Sequence, residues 1–203
     1  MATTSPTLVL ACGALARELS AVIKANRLNM VLECLPSDLH NRPDTIVAAV
    51  ESRLDRAGDQ YADVLIGYAD CGTGGHLDEM CLRRGVTRLP GAHCYEVFAG
   101  GEVFAQLHEE EPGTFYLTDY LAKHFDRLVI KTLGIDRHPE LQSIYFANYR
   151  RMVLLSQSDD QSVVISAQNA ADRLGLSFEH RPCGYTNLET SLINISPKLT
   201  TVL

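Results

Sequence analysis

The chain has 203 residues, of which 46% are hydrophobic and 21% are charged, and it carries a formal net charge of −7. This composition is typical of one globular domain or two small lobes. The negative charge argues against nucleic-acid binding, which needs a basic face, and no apolar run approaches the roughly 20 residues of a membrane span.

The first residues lack the features of a secretory signal. Met1–Pro6 carries no positively charged side chain, and the apolar run Leu8–Leu10 is too short for a signal-peptide core. We therefore expect a cytoplasmic protein, in which disulfides are rare. Metal binding, thiol chemistry and simple burial then remain as roles for the six cysteines, which are Cys12, Cys34, Cys71, Cys81, Cys94 and Cys183.

The first 94 residues alternate between predicted strands and helices. Strands are predicted at Leu8–Ala11, Asn29–Leu35, Val64–Tyr68 and Val86–Leu89, and the helices between them lie around Leu15–Ile23, over Thr45–Arg56 and over Leu77–Arg84. This order predicts an α/β fold with a doubly wound, mostly parallel sheet and helices on both faces.

The rest of the chain is a mostly helical middle, residues 95–150, followed by a second strand–helix–strand–helix series. That series has strands at Arg151–Leu155 and Ser177–Arg181, and helices at Gln161–Leu174 and Tyr185–Ile195. It weakly repeats the beginning of the chain. We therefore predict a single α/β domain over residues 1–203, with lobes at 1–94 and 151–203 or with one continuous sheet.

Several soft ligands follow directly after predicted strands. Cys12, Cys71, His93 and Cys94 have this position, and the carboxyl ends of parallel strands share one edge of a sheet. Three thiols and an imidazole are a ligand set suited to zinc or iron, although the chain has no Cys-x-x-Cys pair. The alternative is that these cysteines are small buried hydrophobic residues, and we favour that role for Cys34, Cys81 and Cys183.

Three further residues are candidates for proton transfer or ligand orientation. His40 lies in a loop stiffened by Pro36 and Pro43, and we expect its imidazole to share a cleft with Cys12. Asp70 and Glu96 are the carboxylate candidates. Gly72, Gly74 and Gly75 predict a weak anion-binding nest of backbone amides.

The chain resembles a bacterial and archaeal family, domain of unknown function 1638. The stretches that carry the resemblance are Ala11–Gly13, Leu39–Pro43, Asp70–Gly72, Leu89–Cys94 and Gly113–Thr118. The resemblance implies a metal site built from the cysteines and histidines. Members often occur near corrinoid-dependent methyltransferase components, which implies a role in methyl-group metabolism. Relatives often have an acidic residue between the histidine and the cysteine, whereas His93 and Cys94 are adjacent in this chain.

Three functions are compatible with these observations. The first is a metal-dependent enzyme or accessory protein of corrinoid-linked methyl transfer, acting on a small-molecule substrate with a corrinoid protein or methyltransferase as partner. The second is a metal-free, racemase-like enzyme that uses two thiols, Cys12 and Cys183, as acid and base. The third is a non-catalytic carrier of metal or corrinoid.

Overall fold

Two separate sheets organise the chain. The structure is a computed structural model and describes residues 5–195. Strands β1 (Thr7–Cys12), β2 (Met30–Leu35), β3 (Asp63–Gly67) and β4 (Thr87–Arg88) form the first sheet in the order β2-β1-β3-β4. Every pair of neighbouring strands in it is parallel.

The second sheet contains β5 (Thr114–Leu117), β6 (Arg151–Ser156) and β7 (Ser177–Pro182) in the order β5-β6-β7, and it is also parallel. The α/β class and the parallel pairing are therefore confirmed. One continuous sheet does not form within the described residues.

The chain divides into two compact units. The first runs to Val97 and is joined by the segment that starts at Tyr185, and the second is Phe98–Gly184. These bounds differ from the predicted lobes at 1–94 and 151–203. Strand β5, from the predicted helical middle, pairs with β6, and the last helix belongs to the first unit.

Nine α-helices connect or flank the strands within residues 5–195. Their bounds are α1 Ala16–Ala25, α2 Ile46–Ala57, α3 His76–Arg84, α4 Cys94–Ala99, α5 Gly101–Glu110, α6 Asp119–Lys123, α7 Leu141–Tyr145, α8 Gln161–Leu174 and α9 Thr186–Ile195. None of the helices in this part of the chain is both long and apolar enough to cross a membrane.

The core of the first unit forms around β1. All six residues of β1 are buried, as expected for a central parallel strand covered on both faces. Leu19 of α1 and Ile46 of α2 are completely buried, so the apolar stripes of these helices cover the sheet as their spacing predicts.

The helical segment that follows β5 changes its geometry part-way. Thr118 accepts a hydrogen bond from the Leu121 amide and so caps α6, a role that threonine often has at the start of a helix. After His124 the chain forms a π-helical turn, Asp126–Ile130, in which the Lys131 amide donates to the Asp126 carbonyl five residues earlier. The wider turn keeps Val129 and Ile130 in the core of the second unit.

Candidate thiol–imidazole site

The candidate site lies at the carboxyl ends of β1 and β3. From β1 the chain crosses to β2 on one side, and it later returns to form β3 on the other side. This point, where the strand order reverses, is where open parallel sheets form a ligand-binding crevice. Cys12 ends β1, and Cys71 follows β3 by four residues.

Gly67 brings the two strands close together at this point. It pairs with Ala11 in the register of β1 and β3. A Cβ atom at position 67 would lie 2.9 Å from the Ala11 Cα and closer still to the Ala11 Cβ. Only glycine fits there without a shift of the strands.

Cys12 and His40 are in direct contact. The Cys12 Sγ lies 3.3 Å from the His40 Nδ1, and the Ala14 amide donates to the same sulfur at 3.4 Å. His40 belongs to a short 3₁₀ helix, Ser37–Asn41, that follows β2. The expectation that its imidazole faces Cys12 is confirmed, and its chemical role stays a prediction.

Tyr68 packs against the His40 ring. Its ring stacks on His40 with a centroid distance of 6.0 Å and an interplanar angle of 18°, and the residue has no exposed surface. The hydroxyl lies near enough to the Cys12 thiol for each to affect the other's pKa. The contact lacks hydrogen-bond geometry, so the hydroxyl has no partner among the described residues.

Sequence reasoning missed Tyr68 because it was assigned to the buried strand Val64–Tyr68. A signal was present, since a buried tyrosine usually finds a partner for its hydroxyl. Tyr68 also lies at the end of the predicted strand, two residues before Asp70, so its hydroxyl belongs to the same edge as the candidate site residues.

The three thiols are kept in the neutral form by burial. Desolvation raises the pKa of Cys12 to about 11, against smaller opposing effects of the Ala14 amide and Tyr68. Desolvation and then the neighbouring Cys12 raise the pKa of Cys71 to about 12. Desolvation, followed by Cys71 and Cys12, raises the pKa of Cys94. Cys12 therefore affects the ionisation of Cys71, and both affect the ionisation of Cys94.

Backbone hydrogen bonds hold Cys71 beside the segment that leads to Cys94. The Asp70 amide donates to the Gly91 carbonyl at 3.0 Å, and the Cys71 amide donates to the Ala92 carbonyl at 2.8 Å. Cys71 has a φ of +52°, a left-handed conformation that costs a non-glycine residue about 1–2 kcal/mol. Such strain often marks a functional position.

The two histidines differ in environment. Burial lowers the pKa of His40, a hydrogen bond with the Ser37 backbone opposes this, and nearby His93 adds a smaller lowering. The His40 Nε2 is buried and has no hydrogen-bond partner among the described residues. His93 is exposed, and its ring lies 6.2 Å from that of Tyr95.

The backbone amides of the glycine-rich turn after Cys71 donate hydrogen bonds to the Asp70 carboxylate. This carboxylate accepts hydrogen bonds from the Thr73 hydroxyl at 2.7 Å and from the amides of Gly74 and Gly75 at 3.2 and 3.0 Å. Burial alone would raise the pKa of Asp70, but these hydrogen bonds outweigh it and lower the pKa. The amides of Gly74 and Gly75 are therefore not available to an external anion. This differs from the anion-binding nest that the sequence predicted for Gly72, Gly74 and Gly75.

Glu96 also has a structural contact. Its carboxylate accepts a hydrogen bond from the Ala92 amide at 2.8 Å and so stabilises the loop before α4. A role of Glu96 or Asp70 in proton transfer stays a prediction.

The thiols and His40 do not form a ready coordination sphere. Within residues 5–195, no group of three or more His, Cys, Asp or Glu side chains is arranged to hold a metal ion. Metal binding by Cys12, Cys71, His93 and Cys94 therefore stays a prediction.

The remaining cysteines vary in exposure. Cys81 is buried on α3, as expected, whereas Cys34 is exposed on β2 and Cys183 is partly exposed. The expectation of burial is therefore wrong for Cys34, since β2 is an edge strand. All six cysteines are free thiols.

The structure also changes how the weak repeat is aligned. In both units a six-residue strand leads through a helix to a parallel neighbour, β1 to β2 and β6 to β7. The residue that matches Cys12 at the end of its strand is Ser156, not Cys183, which follows β7. The Ser156 Oγ lies 2.8 Å from the His180 Nε2.

Comparison with known proteins places the chain in a family. It matches the model of the family described as Protein of unknown function (DUF1638) over residues 34–192. The chain belongs to this family. The DUF1638 match includes His40, Tyr68, Cys71 and Cys94, whereas Cys12 precedes it. Neither the curated proteins nor the solved structures contain a match to the chain.

Proposed function

We propose that the first unit binds one soft metal ion, zinc or iron, through Cys12, Cys71, Cys94 and a histidine. The observation that carries this proposal is the contact between Cys12 and His40, whose buried Nε2 has no hydrogen-bond partner among the described residues. Cys71 is held beside the segment that leads to Cys94, and Cys12 affects the ionisation of both thiols. Thiolates and imidazole are preferred ligands of both metals.

The raised pKa values of the thiols are compatible with this role. A bound cation stabilises thiolates and displaces their protons, so metal binding and thiol ionisation are coupled. Because the described side chains are not arranged as a complete ligand set, binding would have to draw them closer together. Such a metal would supply Lewis acidity that activates a substrate thiol or a water molecule.

The geometry favours His40 over His93 as the imidazole ligand. His40 contacts Cys12 directly and is shielded from water, whereas His93 is exposed. Tyr68 would hold the His40 ring in place by stacking, as residues around a metal ligand commonly do. His93 would then remain exposed and outside the ligand set.

We further propose that the protein acts in corrinoid-linked methyl transfer, as an enzyme or an accessory protein. The support is the family resemblance, together with a thiol-rich site suited to activating a small-molecule thiol. A corrinoid protein or a methyltransferase would be its partner, and the cytoplasm would keep its thiols reduced.

The test is metal content after purification without air. We expect about one zinc or iron per chain, measured by elemental mass spectrometry. Cys71→Ser should abolish binding, and His40→Gln should reduce it more than His93→Gln. Cys183→Ala is the matched control, because this cysteine belongs to the second unit, and it should retain the metal. Protein that carries no stoichiometric metal and does not bind added zinc would overturn the proposal.

A second candidate function is metal-free proton transfer by Cys12 and His40. The 3.3 Å contact between their side chains favours it, because a thiol and an imidazole at this distance can exchange a proton. Both groups are neutral at pH 7 by the direction of their pKa shifts. If the purified protein lacks metal and His40→Gln leaves zinc binding unchanged, this function becomes the better explanation. The racemase-like pairing of Cys12 with Cys183 stays a prediction.

Turnover distinguishes an enzyme from a carrier. A metal-loaded protein that accelerates methyl transfer from a methylated corrinoid to a small thiol would be the enzyme. One that retains metal or corrinoid but shows no turnover would be the non-catalytic carrier.

A further inference from the structure

A cavity in the second unit has an unusual concentration of positive charge. It has a volume of about 470 Å³ and lies between the segment that contains the π-helical turn and helix α8. Four permanently cationic side chains line it: Lys123, Arg127, Lys131 and Arg173. Asp126 is the only carboxylate among its described lining residues. The whole chain is acidic, with a net charge of −7, so this cluster does not follow from composition.

Two of these cations are paired with carboxylates. Lys123 contacts Asp160 at 2.9 Å, and Arg173 contacts Asp126 at 2.6 Å. Arg127 and Lys131 have no carboxylate partner among the described residues. The Arg127 guanidinium instead donates a hydrogen bond to the Tyr120 hydroxyl at 3.2 Å, which holds it beside the cavity. The site therefore has a surplus of two positive charges.

The backbone explains why these two side chains line the same cavity. The π-helical turn Asp126–Ile130 inserts an extra residue between Lys131 and its hydrogen-bond acceptor. Turns of this kind occur frequently at functional sites. On the opposite wall, α8 contributes the short side chains of Ser166 and Ala170, which leave room for a ligand.

The pKa of His124 is affected by the same positive charges. Desolvation, followed by the neighbouring Arg127 and Lys123, lowers the pKa of His124, which also lines the cavity. The imidazole is thus neutral at pH 7 in the free protein. An anion in the cavity would favour its protonation, so the His124 ring is a built-in probe of occupancy.

We infer that this cavity binds a phosphorylated small molecule, whose phosphate group contacts Arg127 and Lys131. The volume falls within the range of roughly 300–1,000 Å³ that is typical of small-molecule sites. A phosphate monoester carries a charge of about −1.5 to −2 at pH 7, which matches the two unpaired cations. The planar guanidinium of Arg127 can donate two hydrogen bonds to phosphate oxygens. Arg173 would leave its ion pair with Asp126 and form a third contact with the phosphate. This costs little free energy, because an exposed ion pair contributes little to stability.

This site is independent of the proposed metal site, because every residue that lines it belongs to the second unit. The two proposals can therefore fail separately. Loss of phosphate binding would leave the metal content unchanged, and Cys71→Ser should not affect phosphate binding.

The experiment is calorimetric titration of the full-length protein with inorganic pyrophosphate at low ionic strength. We expect saturable binding of one pyrophosphate per chain, weakened by added sodium chloride. The double variant Arg127→Gln/Lys131→Gln should bind at least about tenfold more weakly, since it loses both unpaired charges and their charged hydrogen bonds to the anion. The control, Arg17→Gln/Lys24→Gln, removes the same charge from exposed positions on α1 and should bind normally.

A measurement on the unmodified protein accompanies the variants. The ring resonances of His124 should move on addition of pyrophosphate, and the pKa obtained from them should rise. No saturable binding up to millimolar pyrophosphate would overturn the inference. So would an equal loss of affinity in the two double variants, or binding that leaves the His124 resonances unchanged.

Discussion

The Cys12 Sγ lies 3.3 Å from the His40 Nδ1, although 28 residues separate them in the chain. The contact exists because β1 and β2 are parallel neighbours, which brings the end of β1 beside the loop that follows β2. Stacking of the His40 ring on Tyr68 fixes its orientation. The predictions below test the environment of this pair and of the residues around it.

The thiols of Cys12 and Cys71 should be protected from alkylation in the metal-free protein. Their raised pKa values, about 11 and about 12, leave almost no reactive thiolate at pH 7. Treatment with iodoacetamide followed by mass spectrometry should show that exposed Cys34 reacts first. Equal rates for Cys12 and Cys34 in the folded protein would contradict this description of the site.

The same shifts predict a loss of stability in alkali. Both thiols bind their protons more tightly in the folded chain than in the unfolded chain, where the pKa is near 9. The resulting stabilisation is complete below pH 9 and is lost as the pH rises towards 11 and 12. Urea unfolding of metal-free protein should show this decline, and Cys12→Ala should show a shallower one.

His40 should destabilise the protein in acid. Its pKa is lowered in the folded state, so the unfolded chain takes up the proton first as the pH falls through about 6.5. The stability present above that pH is then lost. His40→Gln should have a flatter profile of unfolding free energy between pH 7 and pH 5. His108→Gln, which removes an exposed imidazole, should retain the profile of the native protein.

The strained backbone of Cys71 predicts an unusual order of stability among its variants. Cys71→Ala removes the thiol but keeps a side chain at a φ of +52°. Cys71→Gly removes the strain as well, at the expense of a more flexible unfolded chain. We expect the glycine variant to be more stable than the alanine variant by up to about 1 kcal/mol. Chemical denaturation of the two metal-free variants measures this difference, and the reverse order would show that the turn is not strained.

Gly67 should be intolerant of a side chain because β1 and β3 approach closely there. Gly67→Ala would place a methyl group against Ala11, and overpacking of this kind costs about 1–3 kcal/mol or more. Ala11→Gly should rescue part of that loss, and a double-mutant cycle measures the coupling. Independent, additive effects would contradict the close approach of the two strands.

Local sequence patterns determined most of the individual elements. The apolar run at Leu8–Ala11 and the stripe of Gln161–Leu174 contain their own periodicity, and caps such as Thr118 are read from neighbouring residues. The positions of Cys12 and Cys71 at strand ends followed from the same patterns. Family membership was also visible in short stretches of the sequence.

Tertiary structure decided the partners of these elements. The sequence left one sheet and two sheets equally open, because the choice depends on which distant strands pair. It also gave no sign that Asp70 would occupy the amides of Gly74 and Gly75, or that Tyr68 would stack on His40. The cluster around Arg127 and Lys131 required a π-helical turn that the helical period does not reveal. In each case the deciding contact joins groups whose proximity depends on the fold, and a local pattern contains no information about such contacts.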